Sequence, residues 1–148
     1  MIVVLDASVI LKWLLGDPDR EPDTDKAFAL VDSVVRHEVD ILQPVHWLAE
    51  VAAVMARLSP QTAVGDVQSL SAMQFPTMDD ISVISRATVL AVETQHHLFD
   101  TLYHAVALEN EDATLITTDD RYRRKSERHG RIVALHDWTM PPSSTTLR

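Results

Sequence analysis

The sequence predicts an α/β sandwich built on a mainly parallel sheet, and three observations predict it. Short strand-like runs alternate with longer segments of helical spacing along the chain. The first run, Ile2-Val3-Val4-Leu5, is continuously apolar, as a strand covered on both faces is. The 148 residues suffice for one domain that buries roughly 70% of its unfolded surface, and with no cysteine the core needs no disulfide or zinc-thiolate site.

The elements follow in order. Ile2–Leu5 is a strand, and Ala7–Leu15 a helix ended by Gly16. The stretch Ile2 to Leu15 is not a signal peptide: it has no basic start, and Asp6 and Lys12 interrupt it. It is also too short to cross a bilayer, and a soluble, cytoplasmic protein is expected. Residues 17–25 form a charged loop with two prolines. It fails as a calcium loop, with Pro22 where a glycine is needed and Phe28 where a glutamate is needed. A helix is expected from Asp25 to about Glu38 with Phe28, Val31 and Val35 on its inner face, then a short strand from Asp40 to Leu42 stopped by Pro44. Val45–Leu58 is helical, with the stripe Trp47, Val51, Val54, Leu58. Ser59-Pro60 signals the start of another helix to about Met73, weakened at Gly65. Pro76-Thr77 breaks the chain. Ile81 to about His96 is helical with Ile84, Ala87, Leu90 and Ala91 at core spacing, and His96-His97 end it. Asp100–Glu109 is a helix, Thr114–Thr117 a strand, Arg121–His129 a basic helix closed by Gly130, and Ile132–Leu135 the last strand. Trp13, Trp47 and Trp138 read as packing residues. The domain spans 1–138, and 139–148 form a polar, loose tail.

Four acids stand at strand ends or on apolar faces: Asp6, Glu50, Asp100 and Asp119. Three have an ordinary alternative as helix caps. Glu50 is the hardest to dismiss, because a buried carboxylate without a partner is costly. Asp6 and Asp119 directly follow strands, where active residues of parallel sheets gather. Brought together, the four make an oxygen-rich pocket for a divalent cation, and such a pocket points to phosphodiester chemistry.

The net charge of −9 argues against nucleic acid at first, but it is unevenly spread. Six of the 13 Lys and Arg residues lie between Arg121 and Arg131, with only Glu127 among them. A solvated helix face and a phosphate-binding patch are both open readings of that run.

Four segments in order carry a resemblance: Val4-Leu5-Asp6-Ala7-Ser8; Pro44 with the helix bearing Glu50-Val51; Phe99-Asp100-Thr101-Leu102-Tyr103 with Ala105-Val106-Ala107; and Leu115-Ile116-Thr117-Thr118-Asp119. The chain resembles the PIN-domain nucleases, and most closely the VapC-like toxins of bacterial type II toxin–antitoxin pairs, from Ile2 to about Trp138. The resemblance implies a three-layer α/β/α fold and a Mg²⁺- or Mn²⁺-dependent ribonuclease. It implies an RNA substrate and a cognate antitoxin that blocks the acidic pocket. Asp6 and Asp100 become the primary metal ligands, Glu50 a ligand through water, and Asp119 the completing acid. Ser8 and Thr117 match small hydroxyl positions beside the metal. Thr118-Asp119-Asp120 offers a second register, so Asp120 is a helper or a cap. Thr101 and His104 depart from the family's usual residues, which makes His104 a neighbour of interest. Lys12, Arg121, Arg123, Arg124 and Lys125 are candidates for RNA-backbone contacts. The apolar surfaces of 45–58 and 59–73 could serve a homodimer, which is expected, or the antitoxin. Two other readings stand beside this one: a Mg²⁺-dependent phosphatase or phosphoryl acceptor using Asp6, and a PIN-like binding module without activity.

Overall fold

The computed structural model describes residues 1–17 and 19–140, so the expected loose tail lies outside the described residues beyond Met140. Its strands are β1 (Ile2–Leu5), β2 (Asp40–Ile41), β3 (Gln43–Pro44), β4 (Thr77–Met78), β5 (Ala113–Thr117) and β6 (Ile132–Ala134). Its helices are α1 (Ala7–Leu15), α2 (Thr24–Val35), α3 (Trp47–Leu58), α4 (Ala63–Ala72), α5 (Ile81–Thr94), α6 (Leu98–Leu108) and α7 (Asp120–Ser126).

The main sheet has the order β2-β1-β5-β6 with every pair parallel, and β3 pairs with β4 in a small second sheet. Val3, Val4 and Leu5 are each at most 1% exposed. Successive strand residues face opposite sides of a sheet, so helices must cover both. This is the α/β sandwich the sequence predicts. β1 leads through α1 and α2 to β2 on one side, whereas β5 leads through α7 to β6 on the other. The strand order therefore reverses between β1 and β5, and a crevice opens beyond their carboxyl ends.

The end of β1 is held from both sides. Asp6 N donates to Ile116 O of β5 at 3.1 Å. On the other side β2 has already stopped, and the buried side chain of Gln43 takes its place. Its Oε1 accepts from Leu5 N at 2.8 Å and its Nε2 donates to Leu5 O at 2.9 Å. An amide side chain thus stands in for a missing strand residue, and it fixes the backbone just before Asp6.

Several expectations are corrected. The buried face of α2 is Ala27, Leu30, Val31 and Val34, while Phe28 and Val35 are exposed. In α3 Met55 is buried with Trp47 and Val51, while Leu58 is exposed. In α5 Val83 replaces Ile84 at the core. These helices are rich in apolar residues on more than one side, so spacing alone left the inner face ambiguous by a residue. Pro44 does not stop a strand but belongs to β3, and its partner β4 forms where a chain break was expected. Ser59-Pro60 starts a turn, closed by Ser59 Oγ and Thr62 Oγ1 at 2.7 Å, and α4 begins only at Ala63. Leu135 belongs to a 3-10 turn rather than β6. Gly16 ends α1 as expected, and the reason is space: a Cβ there would lie 2.3 Å from Lys12 O.

Candidate active site

Asp6 follows β1 at the N-terminal boundary of α1, yet its side chain makes no capping bond. Instead Oδ2 accepts from Ser8 Oγ at 2.7 Å and from Thr117 Oγ1 at 2.8 Å. Thr117 is the last residue of β5, and its Oγ1 also accepts from Asp119 N at 3.0 Å. Ser8 Oγ in turn accepts from Thr118 N at 3.3 Å. Two hydroxyls therefore tie the ends of β1 and β5 together through one carboxylate oxygen. Burial lifts the Asp6 carboxyl from 3.8 to about 6; the hydroxyl bonds from Ser8 and Thr117 oppose the rise, and the charges of Glu50 and Asp100 add to it.

Asp119 does two things. Its Oδ1 caps α7 by accepting from Tyr122 N at 3.0 Å, and its Oδ2 faces His96 Nε2 at 3.5 Å. Asp100 lies in the first turn of α6, but the cap is His97, whose Nδ1 accepts from Phe99 N. The Asp100 carboxylate is left for the crevice, where Oδ2 is 3.2 Å from the same His96 Nε2. Burial raises the Asp100 carboxyl, and Glu50 and Asp119 raise it further against the opposing pull of His96 and His97. Glu50, in the first turn of α3, adjoins His46, with Oε2 3.1 Å from Nε2. That nitrogen is also 2.8 Å from Phe99 O, a pure acceptor, so its hydrogen goes to the carbonyl. The 3.1 Å approach is a close contact and not a hydrogen bond, and Glu50 Oε2 is buried with no geometrically sound hydrogen-bond partner among the described residues.

The four acids thus sense one another across the reversal of the sheet. A family model described as PIN domain matches residues 3–128, a span that includes all four. The chain belongs to the PIN-domain family. No curated protein matches it. PIN domains are in general Mg²⁺-dependent nucleases that act on nucleic acid.

The donor set of this PIN domain suits a hard divalent ion. It is all carboxylate and hydroxyl oxygen, and burial together with the neighbouring negative charges raises two of its carboxyls. Among the described residues no three Asp, Glu or His side chains stand close enough together to hold an ion as a closed cage. Mg²⁺ does not require one, since it keeps several waters and takes one or two carboxylates directly. An apolar cavity of about 660 Å³ lies elsewhere, against β2, and none of the acids lines it.

Three site neighbours escaped the sequence reading. His96 looked like a helix end, yet it bridges Asp100 and Asp119. His46 and Tyr103 flank Glu50, with their rings 4.9 Å apart. Their only signal in the sequence is position: His46 is four residues before Glu50, His96 four before Asp100, and Tyr103 one turn after it.

Other candidates sit elsewhere. His104 is fully buried, with Nε2 2.8 Å from Gly130 O and Nδ1 2.9 Å from the Tyr122 hydroxyl. The carbonyl can only accept, so Nε2 carries the hydrogen and Nδ1 accepts from Tyr122. Burial holds His104 down at about 4, so it is a neutral tie between α6 and α7 with no nitrogen left for a metal. Thr101, the other departure from the family pattern, donates to Ala87 O at 2.8 Å and ties α6 to α5. Asp120 turns to Arg123 at 3.2 Å, away from the helper role. Lys12 pairs with Glu21 at 3.7 Å. The basic run is more opposed than the sequence implied: Arg123 also meets Glu127, Arg128 meets Glu93, and Arg131 binds the carbonyls of Ala107 and Asn110. Among the described residues, Arg121, Arg124 and Lys125 are the members with no such partner. No helix among those residues is long and apolar enough to cross a membrane.

Proposed function

We propose that this PIN domain is a Mg²⁺- or Mn²⁺-dependent endoribonuclease and the toxin of a cytoplasmic toxin–antitoxin pair. The observation that supports the nuclease reading is the approach of the four acids: the charges of Glu50 and Asp100 act on Asp6 at the end of β1, and those of Glu50 and Asp119 act on Asp100 at the start of α6. Asp6 and Asp100 would hold the ion, Glu50 would act through water, and Asp119 would complete the set. A bound divalent ion supplies an acidified water and neutralises nonbridging phosphate oxygens. Ser8 and Thr117 fix one oxygen of Asp6 and leave the other for the crevice. Arg121, Arg124 and Lys125 would grip the RNA backbone beside Asp119. The toxin role, the antitoxin and a homodimer rest on the likeness to VapC-like proteins, and the exposed apolar residues Val45, Leu58 and Val64 support a protein partner.

The phosphoryl-acceptor reading of Asp6 has less support. The residue two positions on is Ser8, and it engages Asp6 by donating a hydrogen bond. RNA cleavage by the purified chain tests the proposal. Activity should require Mg²⁺ or Mn²⁺, vanish in chelator, and fall at least a hundredfold in Asp6→Asn and Asp100→Asn, the scale on which removal of a preorganised charged group acts. Activity that survives chelator or both substitutions would refute it.

A further inference from the structure

His104 occupies a fully buried position of α6, where an apolar side chain would fill the space without needing partners. It has two partners, and both lie on the segment that follows β5. Nδ1 accepts from the Tyr122 hydroxyl at 2.9 Å, and Nε2 donates to Gly130 O at 2.8 Å. Tyr122 stands in the first turn of α7, and Gly130 follows the 3-10 turn Glu127–His129 into which α7 runs. One imidazole therefore grips the segment 120–130 near both of its ends. Ser126, buried one turn on from Tyr122, donates to Tyr122 O at 2.9 Å and also stands against the Tyr122 hydroxyl. A buried polar network whose members are all bonded rigidifies the elements that it joins.

The grip reaches the crevice at Tyr122. Its ring lies 4.8 Å from that of His96, the histidine that faces Asp100 and Asp119. Its backbone N–H belongs to a first turn and so has no partner within its own helix. It donates to Asp119 Oδ1 at 3.0 Å instead. That bond orients the carboxylate, with Oδ1 kept on α7 and Oδ2 left toward His96. The first turn of α7 thus sets where Asp119 points. His104 in turn sets where that turn lies against α6, the helix that carries Asp100.

We propose that His104, acting through Tyr122, is a positioning residue for Asp119, and that it holds this acid in place relative to Asp100 so that both can serve one divalent ion. The proposal rests on the metal-dependent reading of the site. It accounts for an imidazole at a fully buried position of α6 and for a hydroxyl on the residue three after Asp119.

Two measurements on the full chain test it. Amide exchange without metal reads the bond to Asp119 at residue 122, with Ile116 in β5 as the reference for general loosening. Tyr122→Phe and His104→Leu should each speed exchange at 122 about fivefold relative to Ile116, the worth of one hydrogen bond. His104→Asn, whose side-chain oxygen lies where Nδ1 does, should keep that exchange near the wild-type rate. Mn²⁺ affinity, read from the spin-resonance signal of free Mn²⁺, is the second measurement. Tyr122→Phe and His104→Leu should bind Mn²⁺ about tenfold more weakly, the usual scale for a residue that supports a metal through another group. In an Asp119→Asn background Tyr122→Phe should cause no further loss. Exchange at 122 that rises only in step with Ile116, or wild-type Mn²⁺ affinity in both variants, would overturn the positioning role and leave His104 as packing alone. A wild-type chain that binds no Mn²⁺ while exchange at 122 still responds would overturn the metal reading and leave the tie from His104 to Asp119 standing.

Discussion

At Asp6, burial and the charges of Glu50 and Asp100 outweigh two hydroxyl hydrogen bonds, and the carboxyl is held at about 6 instead of 3.8. Between those values the folded chain binds more protons than the unfolded one, so stability falls as pH rises through that window. A rise of this size is worth about 3 kcal/mol, as an upper bound. Denaturant unfolding should show the metal-free protein less stable at about pH 7.5 than at about pH 5. Asp100, also raised, acts in the same direction. Asp6→Asn keeps the volume, removes the charge, and should raise metal-free stability at neutral pH while flattening the trend. An unchanged slope in that variant would show that the penalty lies elsewhere. The acids were legible because carboxylates at strand ends and on an apolar stripe contradict their surroundings. His46, His96 and Tyr103 were not. A histidine at a helix end and a tyrosine on a buried face contradict nothing, and only their partners across the fold give them a role.

The elements that present these side chains are short, and their ends matter more than their lengths. β1 stops with its last residue held by β5 on one side and by the Gln43 amide on the other. Gln43→Leu would leave Leu5 N and Leu5 O buried and unpaired. Denaturant unfolding should show a loss of about 2–6 kcal/mol, from two groups at about 1–3 kcal/mol each. A change below about 0.5 kcal/mol, the scale of an unimportant surface substitution, would mean the amide is dispensable. This device was invisible in the sequence, where Gln43 is one polar residue before a proline. The strands β1 and β5 and the helix α1 were plain, since continuous apolar runs and a terminal glycine leave little choice. The two-residue β3 and β4 had no such signature, because so short a pair carries no periodicity and forms through tertiary contact.

For the molecule as a whole, an acidic chain of net charge −9 must still attract a polyanion under the proposed function. The sequence showed a basic run, but the fold removes half of it into ion pairs and carbonyl contacts, leaving Arg121, Arg124 and Lys125 near Asp119. In chelator, where no cleavage competes, Arg121→Ala with Arg124→Ala should weaken binding of single-stranded RNA. The slope of log affinity against log salt should shrink by about 1.4, at roughly 0.7 per phosphate contact. An unchanged slope would move the RNA to another face. Under the proposed function, the four acids gathered about the crevice drive RNA hydrolysis through a divalent ion. End-group analysis of RNA incubated with Mn²⁺ tests it most directly, because attack by water leaves no cyclic phosphate. The products should be free of cyclic phosphate, formed only with metal and lost in Asp100→Asn. Cyclic phosphate ends, or cleavage by Asp100→Asn at the wild-type rate, would contradict it.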